Sequence, residues 1–292
     1  MDKSTNDLRW GPEQRLEFIE FRLFWEGSIN RNDLIERFGV SVPQSSNDLT
    51  TYRDRAPSNL RYDAKEKRYL ASDTFAPILL KPNPDRYLAQ LKAMADHIMR
   101  VEDTWMGEAP PADAMPIPSR KVDALVLRSF VAAVRKRESI NILYHSMNDQ
   151  KPEASWRRVT PHAFGYDGMR WHSRAFCHNS EKFKDFILSR CHATEAPEPS
   201  KIDAKGDADW NRYFGVILRP NPLLSPSQQE AVAWDYNMAD GQVTVLVRYA
   251  LLYYFNKRLR LDVAEKLDRP KERPIVVVNE VEFNRALQSV FE

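Results

Sequence analysis

The positions of helix-ending residues in the first eighty residues restrict this part of the chain to few folds. Gly27 and Gly39 each end a helical pattern, and Pro57 ends a third pattern that starts only a few residues after Gly39. Two short strands, residues 60–62 and 68–70, follow at once and are joined by a charged turn. Three helices with a tight turn between the last two, followed by a hairpin, predict a winged helix-turn-helix.

The third predicted helix has two chemically different halves. One half, at 100° per residue, can pack against the first two helices and consists of Val42, Ser45, Ser46, Leu49, Tyr52 and Arg53. The other half offers polar groups and consists of Gln44, Asn47, Asp48 and Thr51. Amide and hydroxyl groups read base edges in the DNA major groove, so we expect Gln44, Asn47 and Thr51 to face bases.

The end of this helix and the hairpin carry an excess of positive charge. From Arg53 to Arg68 there are six basic residues against three acidic ones. Such cations suit DNA phosphates. The predicted phosphate contacts are Arg53, Arg55, Lys65, Lys67 and Arg68. The unit as a whole is not net basic, which favours binding as a dimer. The alternative is a structural three-helix domain whose polar face meets only water.

Composition and missing motifs exclude several classes of protein. The 292 residues include neither a long apolar run nor a signal-peptide pattern, so we expect a soluble, cytoplasmic protein. Two isolated cysteines fit a reducing compartment. No GxG, HExxH, CxxC or GxSxG motif occurs. The sequence therefore predicts no cofactor, no metal site and no enzymatic activity.

Histidines and arginines are concentrated in a strand-rich segment. Five of the six histidines lie between residues 145 and 192. Strand patterns at 140–146, 155–168, 170–179 and 185–191 predict a small antiparallel barrel. In "RWHSRAFCHN" one face of the strand is predicted to lie in the core and consists of Trp171, Ser173, Ala175 and Cys177. The opposite face consists of Arg170, His172, Arg174, Phe176 and His178.

These strands are able to bring cations and aromatic rings to a common wall. Arginine forks match phosphates and carboxylates, and aromatic rings offer stacking surfaces for bases. Acidic residues are scarce between 145 and 192, so half-buried arginines there would need an anionic ligand. An anion site is therefore favoured over a metal site. A solvated strand face is the alternative.

The rest of the chain completes an α+β multidomain architecture. We divide it into a winged helix (1–80), a linker helix with a proline-rich linker (81–119), the central barrel (120–200) and a C-terminal domain (201–292). The linker helix is predicted over 83–106. Helical patterns at 225–237 and 251–261 alternate with strand patterns at 241–250 and 273–280. This alternation predicts a small α+β sandwich, ferredoxin-like in order.

The central segment resembles a WYL domain, which implies an SH3/Sm-like β-barrel. The similarity lies in "YHS", "WRRVTPHAFGYDGMRWHSRAFC" and "FKDFILSRC". The N-terminal "FGVSVPQSSNDLTTYRDRAPSNLRYDAKEKRYLASDTFAP" is similar to the winged helices of the same proteins, which regulate bacterial phage-defence islands such as BREX and CBASS. The eponymous Trp-Tyr-Leu triplet is not literal here, because His172 and Ser173 follow Trp171.

This resemblance implies a homodimeric transcription factor, usually a repressor, that binds an inverted repeat upstream of its own gene or operon. It also implies a nucleotide or nucleic-acid effector bound in a basic pocket of the WYL domain. The matching positions are Tyr144, Ser146, Arg157, Arg158, His162, His172, Arg174 and Arg190. Two other functions stay open, an effector that binds RNA or single strands through the barrel and a domain that acts on nucleotides.

Overall fold

The computed structural model describes residues 7–147, 153–262 and 269–290. It divides into two compact units, Met1–Pro116 and Ile117–Glu292. The first unit contains four helices and three strands in its described part: α1 (Asp7–Glu26), β1 (Ser28–Ile29), α2 (Arg31–Phe38), α3 (Val42–Arg55), β2 (Leu60–Asp63), β3 (Arg68–Ala71) and α4 (Pro84–Ala95). The strands form one sheet in the order β1-β3-β2. The predicted winged helix-turn-helix is confirmed.

Local sequence signals place the turn between α2 and α3. Asn30 begins α2 with a capping box, in which its side chain accepts from the Asp33 backbone N–H. Gly39 ends α2 in the left-handed conformation at φ 63°. Ser41 then caps α3, and Pro43 occupies the first turn. Three residues, Gly39 to Ser41, therefore turn the chain from one helix into the next.

The segment after α4 differs from the predicted continuous helix over 83–106. The helix ends at Ala95, and His97 adopts a positive φ of 56°. The chain then returns to α1, where the Trp105 ring packs edge-on against Phe18 and Phe21. Met106 is buried beside it. Residues up to this point therefore belong to the packed first unit.

The second unit begins with a helix and a five-stranded antiparallel sheet. The elements are α5 (Ala124–Lys136), β4 (Glu138–His145), β5 (Ala154–Tyr166), β6 (Trp171–Cys177), β7 (Lys182–Ile187) and β8 (Cys191–Pro199), with strand order β7-β6-β5-β4-β8. Phe130 of α5 packs with Ile142, Val159, Ala175 and Cys177 in a common core. Trp171 was expected there, but it is 52% exposed and lies beside Tyr166 instead, with 5.0 Å between the ring centroids.

The C-terminal part of the second unit is a sheet with helices on one face. Its elements are α6 (Ala208–Asn211), β9 (Tyr213–Pro220), α7 (Pro226–Asp235), β10 (Val243–Arg248), α8 (Tyr249–Arg258), β11 (Ile275–Val277) and α9 (Glu280–Ser289). The strands lie in the order β10-β9-β11 and all pairs are antiparallel. Leu252 and Phe283 pack onto Val216 and Leu218 of β9. No helix in the described ranges is long and apolar enough to cross a membrane.

Candidate nucleic-acid interface and anion-binding residues

Helix α3 is rotated relative to the predicted orientation. Ser45, Leu49 and Tyr52 are buried as expected, but Asp48 is buried with them. The reason is Arg15 of α1, whose guanidinium donates to the two Asp48 carboxylate oxygens at 2.6 and 3.1 Å. Val42, expected to pack, is 55% exposed. A buried ion pair between helices thus fixes which side of α3 faces outward.

The exposed stripe of α3 is centred on Asn47, Thr50 and Arg53. These positions are three residues apart and therefore lie on one helix face. Gln44 and Thr51 are only half-exposed, and the Gln44 amide donates to Asp48 at 2.8 Å. Thr50 was not predicted from the sequence as a DNA-facing residue, because the rotation of α3 depends on the Arg15–Asp48 pair.

The predicted phosphate-binding cations have different surroundings. Lys65 and Lys67 are exposed in the turn between β2 and β3, and Asp63 shapes that turn by accepting from the backbone N–H groups of residues 65 and 66. Arg53 is exposed at the end of α3. Arg55 is paired with Glu13 at 2.9 Å, and Arg68 is half-buried along a cavity with acidic residues.

Residues of β6 that face away from the core are buried beneath the C-terminal part of the chain. Arg174 is 5% exposed, and it donates to both oxygens of Asp207 at 2.7 and 2.9 Å. Asp185 and Asp209 lie 3.5 and 3.7 Å from the same guanidinium. The His162 ring lies 2.9 Å from Asp207. Although burial favours a neutral acid, the hydrogen bonds from His162 and Arg174 hold the pKa of Asp207 well below its ordinary value.

His172 makes a second contact with an acidic residue on the same face of β6. Its Nε2 atom lies 2.8 Å from the Asp167 carboxylate, and its ring packs against Tyr254 of α8 with 4.6 Å between centroids. Arg170 donates to the same carboxylate at 2.9 Å. Burial opposes ionisation of Asp167, but the bonds from His172, Arg170 and two backbone N–H groups lower its pKa to about 2.

The prediction that these cations lack acidic partners is therefore wrong. Asp207 and Asp209 lie outside the 145–192 segment in which acids were counted, and the fold brings them onto β6. Arg174 and His172 join the central sheet to the C-terminal part of the same unit. Arg158 is also occupied, because it donates to Ser139 and to the Ala196 carbonyl and pairs with Glu198.

Tyr144, Arg157 and Arg190 form a different arrangement. Arg157 is paired in register with the core residue Ile142, which places it on the face of the sheet opposite to Arg174. Its guanidinium lies 5.7 Å from the centre of the Tyr144 ring. Burial raises the pKa of Tyr144, and interaction with Arg190 partly offsets this.

Arg157 and Arg190 have no oppositely charged partner within the described ranges. No carboxylate of those ranges lies within 4.0 Å of Arg157 or Arg190, and the Arg157 Nε–H has no hydrogen-bond acceptor there. Both side chains are half-buried, as is Ser146 at the end of β4. Among the arginines and histidines of the predicted pocket, these two arginines are the ones without a carboxylate partner in the described ranges. No cluster of metal-ligating side chains occurs in the same part of the chain.

Three family models match successive parts of the chain. The BrxR transcriptional regulator winged helix-turn-helix domain matches residues 11–93, the WYL domain matches 126–196, and the BrxR transcriptional regulator C-terminal dimerization domain matches 213–283. The predicted WYL resemblance is confirmed by the second of these matches.

Curated relatives match almost the full length. A DNA-binding transcriptional repressor, CapW of Escherichia coli strain KTE188, is 36% identical over 98% of this chain and 95% of its own. The chain belongs to the CapW family. A CapW repressor of Stenotrophomonas maltophilia is 37% identical over 96% of this chain and 94% of its own. Members of the CapW family are named DNA-binding transcriptional repressors, so the chain belongs to a family of regulators.

A solved structure, proteasome accessory factor B/C of Arthrobacter aurescens, aligns with 96% of this CapW-family chain. This chain spans 49% of that one, with 15% sequence identity and a TM-score of 0.25. The similarity is too low to support a structural argument.

Proposed function

We propose that this CapW-family protein is a homodimeric repressor that binds an inverted DNA repeat upstream of its own gene or of a phage-defence operon. The observation that carries the proposal is the outward stripe of α3, formed by Asn47, Thr50 and Arg53, together with the exposed Lys65 and Lys67 in the turn between β2 and β3. Names of the CapW relatives and of the C-terminal dimerization model support DNA binding and dimer formation.

In this proposal α3 enters the major groove. Asn47 and Thr50 offer an amide and a hydroxyl to base edges, while Arg53, Lys65 and Lys67 contact phosphates. Gln44 contributes after its amide leaves Asp48, which stays neutralised by Arg15. A dimer presents two such helices to two half-sites, and this doubles the contacts that a modestly charged domain makes alone.

The proposed effector is a nucleotide or nucleic-acid anion that binds at Arg157 and Arg190, both of which interact with Tyr144. Two half-buried guanidinium groups without carboxylate partners in the described ranges attract a phosphate, and the buried Tyr144 ring lies 5.7 Å from the guanidinium of Arg157. The effector releases DNA only if it binds the free repressor more tightly than the DNA-bound repressor.

Fluorescence anisotropy with the duplex upstream of the gene tests the DNA-binding part. Asn47→Ala combined with Arg53→Ala should abolish specific binding, whereas Arg128→Ala, which removes an exposed cation from α5, should leave it unchanged. Specific binding that survives the double substitution would contradict the assignment of α3 as the DNA-reading helix.

Titration with a short single-stranded oligonucleotide, and separately with a mononucleotide, tests the effector part. The effective probe should displace wild-type protein from the operator but should fail with Arg157→Ala or Arg190→Ala. If these two variants instead lose operator affinity, the central sheet itself contacts nucleic acid, as the single-strand-binding alternative requires.

A further inference from the structure

The first compact unit contains a recess, here called the α1–α4 recess, between α1, α4 and the segment that returns to α1. Its volume is about 420 Å³. Helix α1 contributes Phe21 and Trp25 to its lining, α2 contributes Arg37, and α4 contributes Arg86 and Tyr87. Cavities of about 300–1,000 Å³ are typical of small-molecule sites, so the recess is large enough for such a ligand.

Three cations line the α1–α4 recess without a carboxylate partner. Arg37, Lys81 and Arg86 are exposed, and no carboxylate of the described ranges lies within 4.0 Å of them. Arg37 donates to the Glu102 carbonyl oxygen at 2.6 Å, a contact that does not neutralise its charge. Asp103 is the one acidic residue among the described lining residues, and its carboxylate accepts from a neighbouring backbone N–H at 3.1 Å. The recess is therefore positively charged and attracts an anion.

The floor of the α1–α4 recess is aromatic. Tyr87 stacks on Trp25 with 4.5 Å between the ring centroids, and Trp105 packs edge-on against Phe21 at 5.8 Å. Trp25, Tyr87 and Trp105 are half-buried, so each keeps part of its ring surface accessible. The Gln90 amide also lines the recess and offers both a donor and an acceptor. Aromatic surface beside an amide suits the flat face and the polar edge of a nucleobase.

A neighbouring cavity of the same unit has the opposite charge. Its volume is about 850 Å³, and Trp25 and Tyr87 line it as well. Five acidic residues of its described lining face three arginines, and one of these, Arg22, already pairs with a glutamate at 2.7 Å. The acidic residues are Glu26, Asp33, Glu36, Glu102 and Glu108. The larger cavity therefore disfavours an anion, and the positive charge of the α1–α4 recess is a local property.

The DNA backbone is another anion that exposed cations contact. Phosphates lie on the outside of a duplex and meet protruding side chains, such as those of Lys65 and Lys67 in the turn between β2 and β3. The α1–α4 recess is instead concave, with an aromatic floor and a few polar groups at its edge. This combination is typical of a site for a small molecule.

We propose that the α1–α4 recess binds a mononucleotide, with its phosphate among Arg37, Lys81 and Arg86 and its base on the aromatic floor. The inference goes beyond the proposed function, because Arg157 and Arg190 belong to the other compact unit. Arg37 lies in the last turn of α2, directly before the turn that leads into α3. A phosphate bound there contacts the helix-turn-helix itself.

Isothermal titration calorimetry of the full chain with AMP, CMP, GMP and UMP tests this proposal. The chain carries Arg157→Ala and Arg190→Ala, so that the effector residues of the proposed function are removed. At least one nucleotide should bind with one site per chain. Adding Arg86→Ala should raise its Kd at least tenfold, because a charge-assisted contact with the phosphate is lost. Lys92→Ala is the matched control on α4, since Lys92 pairs with Asp96 and does not line the recess, and it should leave the Kd unchanged.

Two partial probes distinguish a nucleotide site from a simple anion site. Inorganic phosphate and the corresponding nucleoside should each bind at least tenfold more weakly than the nucleotide, because each uses one part of the recess. Phosphate that binds as tightly as the nucleotide would overturn the proposal, as would a lack of binding by all four nucleotides. A loss of operator affinity in Arg86→Ala without any nucleotide would assign these cations to the DNA backbone and would also overturn it. Circular dichroism should show every variant folded, and titration of the wild-type chain with and without Arg86→Ala repeats the test without the two background substitutions.

Discussion

The Asp207 carboxylate makes three contacts. It accepts both hydrogen bonds of Arg174, lies within hydrogen-bonding distance of His162, and caps α6 by accepting from the Trp210 backbone N–H. The residue is 1% exposed, so each lost contact leaves a buried polar group without a partner. This carboxylate is the main ionic link between the central sheet and the segment that follows it.

The lowered pKa of Asp207 predicts a pH-dependent stability. A carboxylate whose pKa is lower in the folded protein stabilises it above the unfolded pKa of about 4, and the contribution is lost as the pH falls towards the folded pKa. Asp207→Asn should therefore reduce the free energy of unfolding most at pH 7 and less on acidification. Urea denaturation across this range measures the difference. Asp235→Asn, at an exposed site, should show no such trend, and an equal loss at every pH would contradict the assignment.

Arg174 and Arg190 were expected to act alike, but their contacts predict different results. Arg174→Ala leaves Asp207 buried without its main partner and should lower the free energy of unfolding by about 3 kcal/mol. Arg190→Ala should lower it by less than about 1 kcal/mol, because no carboxylate of the described ranges depends on it. Urea denaturation of both variants separates these roles. Equal destabilisation would show that Arg190 is also structural.

At the scale of the elements, sequence patterns predicted most boundaries in the winged helix, because capping and helix-ending residues act locally. Gly39, Ser41 and Pro57 mark the ends of α2 and α3 without reference to the rest of the fold. The rotation of α3 depends instead on Asp48 and Arg15, which are far apart in sequence. A helical wheel contains no information about such a partner.

The observed rotation of α3 can be tested with two neighbouring threonines, Thr50 and Thr51. Thr50→Ala removes an exposed hydroxyl and should weaken specific operator binding by about 1–3 kcal/mol. Thr51→Ala changes a half-buried residue and should have a smaller effect on binding. Anisotropy titrations against operator and unrelated duplex compare the two. A larger effect at Thr51 would favour the orientation expected from sequence.

Strands were missed where their sequences do not have a strand pattern. β8 contains Pro197 and Pro199, and such residues are typical of linkers or of edge strands. It is in fact an edge strand, paired only with β4 within the described ranges. β1 has two residues, too few to show any alternation. The site was incompletely predicted for a similar reason, because Asp207 reaches Arg174 only through the tertiary fold.

At the scale of the whole molecule, the chain combines a winged helix in one compact unit with the WYL and C-terminal domains in the other. DNA recognition and dimer formation are therefore assigned to different units. Changes that weaken dimer formation should reduce operator affinity without touching the DNA-facing residues.

This separation predicts that affinity depends on two half-sites. A duplex with the complete inverted repeat should bind at least 100-fold more tightly than a duplex with one half-site. The second contact becomes intramolecular, and this raises the overall affinity by roughly 10²–10⁴-fold. Competition anisotropy at fixed salt measures the ratio. Equal affinity for the two duplexes would indicate a functional monomer.

The short connection between β8 and α6 is held at both ends. Ser200 lies 2.8 Å from the Thr160 hydroxyl at one end, and Asp207 contacts Arg174 at the other. One inserted residue would add up to about 3.6 Å of chain and carry the Asp207 carboxylate away from the Arg174 guanidinium. The connection therefore tolerates replacement of its amino acids far better than insertion or deletion. The number of residues in this connection therefore determines where α6 begins relative to the central sheet.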